Sequence, residues 1–343
     1  MTYARSLLRH VLGCAAVLTL AATQAAGQTA DNFYKGKVIT LIVGVSPGGG
    51  YDQYARLLAR HLPHHIAGEP TIIVSNMPGA ASLTSVLNLA RIAPTDGTQI
   101  ATFNAGLLND SMIEGDQARV KFNQFSWLGS MARDLRVCVA SKASSIRTWD
   151  DLAKGKDAVF GAAGPNSNSA NGIAMIRNLF NLKHLRTVSG YPGISETNLA
   201  VERGEVDGTC VSWIAIPANW VKDKAVNVLV RLSPSTVPEI PNSVKYIGDM
   251  VDTPEKKTLV NALVSSGELA RPFIVSAKVP KERVDILRKA FAETLADPVF
   301  LADAAKTKLL IDPVGGASAQ KIVDRIYALP TNVAQKARAI LQN

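Results

Sequence analysis

The chain has 343 residues, 47% of them apolar and 19% charged, with a formal net charge of +9. That length suffices for two lobes of roughly 100–150 residues each. The basic residues are scattered and have no interleaved aromatics, which argues against a nucleic-acid groove and fits capture of a small anion.

Residues 1–27 read as an export signal. Arg5 and Arg9 form a short basic region, Val11 to Ala22 an apolar core, and Thr23–Ala25 or Ala25–Gly27 offers the small residues that a signal peptidase needs. The apolar run is short and weakly flanked for a membrane span; a membrane anchor is the alternative. Cys14 is not a lipidation site on this reading, because Arg5, Arg9 and His10 cannot serve as its hydrophobic core. Cleavage would place the mature start near Gln28, put the protein in the periplasm and lower the net charge from +9 to +7.

The first mature element is an apolar, β-branched run, Val38 to Val43, ended by Pro47, Gly48, Gly49 and Gly50. A helical pattern (Tyr54, Ala55, Leu57, Leu58, Leu62) starts at once. The unit then recurs. Thr71 to Val74 is strand-like, Asn76-Met77-Pro78-Gly79-Ala80-Ala81-Ser82 is its turn, and a helix carries Leu83, Val86, Leu87, Leu89 and Ala90. Gln99 to Phe103 is a third strand, ending in Asn104-Ala105-Gly106. Ser126 to Ala140 reads as two short strands around Arg133 and Asp134. Further strands fall at Ala158 to Gly161, Leu185 to Val188, Val206 to Val211, Val226 to Leu232 and Pro272 to Ser276. Helices fall at about 170–180, 195–203, 254–265, 281–296 and 318–328, with Gly204 a natural C-cap. Alternating β and α segments predict an α/β architecture, whose ligand sits at the carboxyl ends of the strands.

A strand, a glycine turn and a helix N-terminus together present free backbone N–H groups and a positive dipole end, which suits an anion. Gly44-Val45-Ser46-Pro47-Gly48 also fits the G-x-S-x-G nucleophile elbow, so a secreted serine hydrolase is the enzyme alternative. Against it, the residue after Ser46 is Pro47, which has no N–H for an oxyanion hole. No nucleotide-binding glycine pattern occurs, so no cofactor is expected. His61, His64 and His65 crowd one helix end and read as solvated; no metal site is expected. Ser46, Asn76, Ser82, Asn104, Asn166, Ser167 and Ser169 are ordinary turn and cap residues taken singly. Several such turns, rich in small donors, would converge on one cleft. Asp52, in a first helical turn, is stabilised by the dipole whatever its role. Asp207 would either accept from a ligand or shape its turn. Cys138 and Cys210 lie in strand-like contexts and are either bridged or two buried free thiols. A bridge closing about 70 residues would be worth roughly 4 kcal/mol.

These turns carry a resemblance. The mature chain resembles the extracytoplasmic solute receptors of tripartite tricarboxylate transporters, the TctC or Bug type. The matching residues are Tyr34 to Val43, followed by Ser46-Pro47-Gly48-Gly49-Gly50-Tyr51-Asp52 and the Ala55-Arg56-Leu57-Leu58 helix. Asn76-Met77-Pro78-Gly79-Ala80-Ala81, Ala93-Pro94-Thr95-Asp96-Gly97, Gly190-Tyr191-Pro192-Gly193 and Arg203-Gly204-Glu205-Val206-Asp207 continue the match. The second-lobe loop, Gly161 to Ser169, departs from the family's Gly-Ser-Gly-Ser type and lacks the His that follows it there.

The resemblance implies an α/β, two-lobed periplasmic-binding-protein fold (type II, Venus-flytrap), each lobe a mostly parallel sheet flanked by helices. Lobe 1 would be residues 28–136 and 270–343, and lobe 2 residues 137–269. It implies a monomeric receptor, not an enzyme, that closes over a small organic anion carrying a carboxylate and docks on the membrane permease subunits. The first-lobe contacts would be Ser46, Gly48, Gly49, Gly50, Tyr51, Asp52, Asn76 and Asn104. The second-lobe contacts would be Gly164, Asn166, Ser167, Ser169, Tyr191 and Asp207. A solute sensor for a signalling partner would need the same closing cleft.

Overall fold

The computed structural model describes residues 33–114, 118–163 and 167–342; the expected export segment, 1–27, lies outside them. In chain order, the first stretch is β1 (Val38–Val43), α1 (Gly50–His61), β2 (Thr71–Asn76), α2 (Leu83–Arg91), β3 (Gln99–Thr102), α3 (Gly106–Glu114) and β4 (Phe125–Ser130). The second is β5 (Arg136–Ser141), α4 (Trp149–Ala153), β6 (Ala158–Ala162), α5 (Asn168–Leu179), β7 (Leu185–Ser189), α6 (Ile194–Glu202), β8 (Gly208–Ser212), α7 (Ala218–Lys222) and β9 (Val226–Arg231). The chain ends with α8 (Ile247–Met250), α9 (Pro254–Glu268), β10 (Pro272–Ser276), α10 (Lys281–Ala296), α11 (Pro298–Lys306), β11 (Val314–Gly315), α12 (Gly316–Tyr327) and α13 (Thr331–Gln342).

These strands form two sheets, ordered β11-β4-β10-β3-β1-β2 and β7-β6-β8-β5-β9. In the first sheet β1 to β4 share one direction, and β10 and β11 oppose it. In the second, β6 to β9 share one direction and β5 opposes it. β5 and β10 are the strands entered directly from the two segments that cross between the sheets. A chain that crosses at the cleft end of one sheet must enter the other from its cleft end. Its first strand there therefore runs against the βαβ strands, which point toward the cleft.

The two crossings lie side by side. The Met131 N–H donates to Arg271 O at 3.0 Å and the Asp134 N–H to Gly267 O at 2.8 Å. One apolar cluster continues across both sheets, joining Phe103, Phe122 and Trp127 to Phe160, Ile173 and Ile176. α13 contributes Val333 and Ala337 to it and lies on α5, where the Asn178 amide donates to Ile340 O at 2.8 Å. Cys138 and Cys210 stand directly opposite on β5 and β8 and are joined by a disulfide.

The histidine-rich end of α1 is not left to solvent, contrary to expectation. His61 and Arg60 both bond the Asp303 carboxylate, at 3.0 and 2.8 Å, and His65 bonds Asp297 at 3.1 Å. The ring of Phe300, also from α11, meets His61 edge-on. Hydrogen bonds from Arg60, then His61, hold the Asp303 carboxyl at about 2, against 3.8 for a free group. A carboxyl depressed in the folded state stabilises fully above its unfolded value, and that stability is lost as pH falls through the folded one. Urea midpoints recorded from pH 5 down to pH 2 should fall less steeply for Asp303→Asn than for the parent. Parallel curves would show that this pair does not couple folding to acid.

Candidate functional site

The carboxyl ends of β1, β2 and β3 bring together the glycine turn, the Asn76–Ser82 loop and the Phe103–Gly106 turn. β1 can end close against α2 because position 44 lacks a side chain: a Cβ on Gly44 would lie 2.5 Å from Ser85 Oγ. Beyond it, Gly48 has φ +87°, a left-handed backbone that glycine adopts at no steric cost. α1 then starts from Gly49, an N-cap without a side-chain hydrogen bond. Its first N–H groups have no intrahelical partner by geometry and stand with the positive end of the helix dipole at the carboxyl end of β1.

Several residues expected to touch the solute build the turn. Asp52 is only 2% exposed. Its Oδ2 accepts from the Gly48 N–H and from Arg56 Nε, both at 2.8 Å, and its Oδ1 accepts from Asn76 Nδ2 at 2.9 Å. Burial pushes this carboxyl up, but the hydrogen bonds from Arg56, Gly48 and Asn76 outweigh it and hold it below the usual carboxylate range. Asn76 is equally committed, donating to Val45 O at 3.0 Å and accepting from Arg56 at 3.1 Å. The Tyr51 hydroxyl accepts from the Ala105 N–H at 3.0 Å and so ties the first turn to the third. Burial pushes that phenol up, chiefly opposed by the charge of Arg271. Asn104 caps its own turn, its Oδ1 accepting from the Gly106 N–H at 2.9 Å. Ser46, Gly49 and Gly50 remain exposed on the cleft side of this frame.

The loop after β2 carries strain. Ala80, Ala81 and Ser82 all have positive φ, at 45°, 52° and 82°. Left-handed backbone costs a non-glycine residue roughly 1–2 kcal/mol, and such strain persists where the surroundings fix it. Here the buried Ser82 hydroxyl accepts from the Asn104 N–H at 3.0 Å, joining the second turn to the third.

The second sheet offers two turns at its carboxyl ends. Ser167 caps α5 through Ala170 N at 3.2 Å, and its hydroxyl lies 2.9 Å from that of Ser169, which accepts from Ala163 N at 3.2 Å. Both therefore shape the loop that follows β6. Gly164 and Asn166 lie outside the described residues. Tyr191 follows β7 and packs over Gly161, where an added Cβ would lie 3.3 Å from its ring. α6 starts next, from Gly193, without a side-chain cap.

Asp207 stands apart from these turns. It precedes β8 at the amino ends of the parallel strands, opposite the cleft turns. Ser144 Oγ donates to its Oδ1 at 2.7 Å and the Val159 N–H to its Oδ2 at 2.8 Å. It ties the amino ends of the inner strands β8 and β6 to the turn after β5.

Arg271 was missed from the sequence. It is the first residue after Ala270 on the returning crossing, and its guanidinium lies 4.6 Å from the Tyr51 ring centre and 5.1 Å from that of Tyr54. A lone cation just before an otherwise buried, mostly apolar strand was the available signal.

Among the described residues, His61 and His184 have partners other than Ser46. His61 ends the helix that Gly50 begins, about 16 Å away along its axis, and is engaged by Asp303. His184 is committed to Leu152 O at 2.6 Å. Among the described residues no cluster of His, Cys, Asp or Glu is arranged to hold a metal, and no helix is long and apolar enough to cross a membrane. A broad concavity of about 1080 Å³ runs along the edge strand β9, with Trp149, Trp213 and Trp220 in its lining. None of the cleft turns contributes to it, so volume alone would point away from the site.

No family model matches the chain. The curated UPF0065 protein in the TAR-I ttuE-ttuC' intergenic region of Agrobacterium vitis is 24% identical over 221 residues, 62% of each chain. The chain thus matches less than two thirds of that relative's length. A TctC solute-binding protein from Polaromonas, crystallised without ligand, has a TM-score of 0.73 at 17% identity, over 88% of this chain and 99% of that one. An R. palustris protein solved with adipate has a TM-score of 0.57, also at 17% identity, over 88% and 97%. The likeness fixes the fold as that of two-lobed periplasmic binding proteins.

Proposed function

We propose that this chain, which has the fold of the TctC and Bug receptors, captures a small carboxylate-bearing solute in the periplasm and delivers it to the permease subunits of a tripartite tricarboxylate transporter. The observation that carries this reading is the glycine turn. Asp52 and Asn76 point inward and fix the backbone, while the uncapped start of α1 faces the cleft. The lobes are 28–136 with 270–343, and 137–269, closing about the paired crossings. Export through residues 1–27 brings the receptor to the solute. It works as a monomer without a cofactor, and it does no chemistry on what it binds. Capture of a dicarboxylate, as in the R. palustris protein solved with adipate, fits a turn that offers N–H groups to one end of the solute.

Thermal melts of the protein against adipate, malate and benzoate, with the corresponding amides as neutral controls, test this. Saturating solute at a hundredfold excess over Kd should add about 2.7 kcal/mol of stability. Gly49 has an ordinary φ of −75°, and an added Cβ meets nothing closer than Ser46 O at 4.0 Å. Gly49→Val should therefore melt near the parent temperature without solute and show no shift with it. A shift retained in this variant would remove the turn from the site.

A further inference from the structure

Arg271 is a cation with its surroundings fixed and its charge unanswered. Its N–H donates to Ser130 Oγ at 3.0 Å, and its carbonyl accepts from Met131 N at 3.0 Å, so the backbone is pinned to the crossing pair. Nη1 is committed to Ala270 O at 2.8 Å. Nε is buried with no partner. Among the described residues no carboxylate pairs with it. Asp134 lines the same small cavity of about 20 Å³ but is already engaged by Arg136 at 2.6 Å and Ser212 at 2.5 Å.

The Tyr51 and Tyr54 rings hold the guanidinium in place. Their faces attract a cation without neutralising it, and each hydroxyl is anchored elsewhere, to Ala105 N and Leu310 O. The remaining edge is directed to the glycine turn: Nη2 lies 3.6 Å from the point a Cβ on Gly50 would occupy. A partly buried, unpaired guanidinium beside an uncapped helix start is matched by a planar anion, which it can bond through charge-assisted N–H···O contacts.

We propose that Arg271 is the fixed cation of the cleft, receiving a carboxylate of the solute together with the first N–H groups of α1. It thereby selects carboxylates over their isosteric amides. This rests on the receptor reading above and adds to it the residue that reads charge. Its place on the returning crossing has a consequence. A carboxylate bonded to Arg271 is tied to the segment about which the lobes would close, so binding and closure are coupled through one side chain.

Titration calorimetry on the parent, Arg271→Lys and Arg271→Gln, each with adipate and with adipamide, tests the assignment. Melts without solute report folding. Arg271→Gln should weaken adipate about a hundredfold and bring its affinity near that of adipamide. Arg271→Lys keeps the charge but not the planar fork, and should retain part of the preference, about tenfold weaker than the parent. It also serves as the folded comparison if the Gln variant is unstable. A parent-like ratio of adipate to adipamide affinity in either folded variant would overturn the proposal, even if both melt early, because a purely structural arginine does not set that ratio. A parent that binds neither adipate nor malate nor benzoate would bring down the receptor reading and this assignment with it. A parent that binds and variants that keep its selectivity would bring down the assignment alone.

Discussion

A Cys138→Ala, Cys210→Ala double variant is expected to melt about 6 °C below the parent while still binding carboxylate. The two residues face each other in the middle of β5 and β8, and neither is more than 1% exposed. The bridge closes a separation of 72 residues. In the chain-entropy account, a loop of that size removes about 4 kcal/mol of freedom from the unfolded chain. An unfolding entropy of about 2.1 cal/mol/K per residue over roughly 300 ordered residues converts that to the stated shift. Binding should survive because the bridge lies mid-sheet, away from both the turns and the crossings. α5 approaches it so closely that a Cβ on Gly172 would come within 2.8 Å of Cys210 Cβ. The alanines therefore leave a small gap under a helix that Ile173 and Ile176 continue to hold. Melting within a degree of the parent would mean that the constraint acts on an unfolded chain already compact in this region.

Most of the architecture could be read from the string, because the strands at the centre of each sheet have no polar face. β1 and β6 are short, mostly apolar runs followed within two residues by glycine, and the expected Pro272–Ser276 strand matches β10 to the residue. Elements whose identity depends on tertiary contact were not readable. β11 is two residues long and exists because β4 pairs with it. α13 has no strong stop signals of its own and is held by α5 and α9 at the end of the chain. α11 is absent from the expected helices, although Pro298 stands at its first position, where proline is favourable, and Asp297 caps it.

The convergence of the three first-sheet turns was legible in the sequence, but the contacts their side chains make were not. Asp52, Asn76 and Tyr51 carry the right chemistry for a ligand, yet in sequence a side chain that points inward looks the same as one that points out. Asp207 shows the same ambiguity from the other side. Its turn resembles the cleft turns, but parallel strands have two ends, and only pairing reveals which end it occupies. Arg271 lies 221 positions from Gly50, and only the second crossing brings them together.

Asp52→Asn is expected to lower the melting temperature by about 4–5 °C and to weaken carboxylate binding at least tenfold. The variant is nearly isosteric, so the effect isolates charge and hydrogen-bond polarity. Both carboxylate oxygens accept, from three donors on three different residues. An amide must turn its NH2 toward at least one of them. Rotating the Asn76 amide to compensate would break its bond to Val45 O. Losing a buried charge-assisted network of this size costs about 3 kcal/mol. Arg56 is half exposed and can be rehydrated, which keeps the cost from rising further. Affinity falls because the Gly48 N–H then has only a neutral acceptor and the bond from Asn76 is lost, so the N–H groups of the turn are held less firmly in one orientation. The acid limb gives an independent check. The folded Asp52 carboxyl titrates below 3.8. Its stabilisation is therefore complete above that pH and disappears as pH drops through the lowered value. The parent should lose stability over that interval by more than Asp52→Asn does. Unchanged melting and unchanged affinity in the variant would show that the glycine turn holds its shape without the carboxylate. The framework assigned to Asp52, Asn76 and Arg56 would then have to be given up.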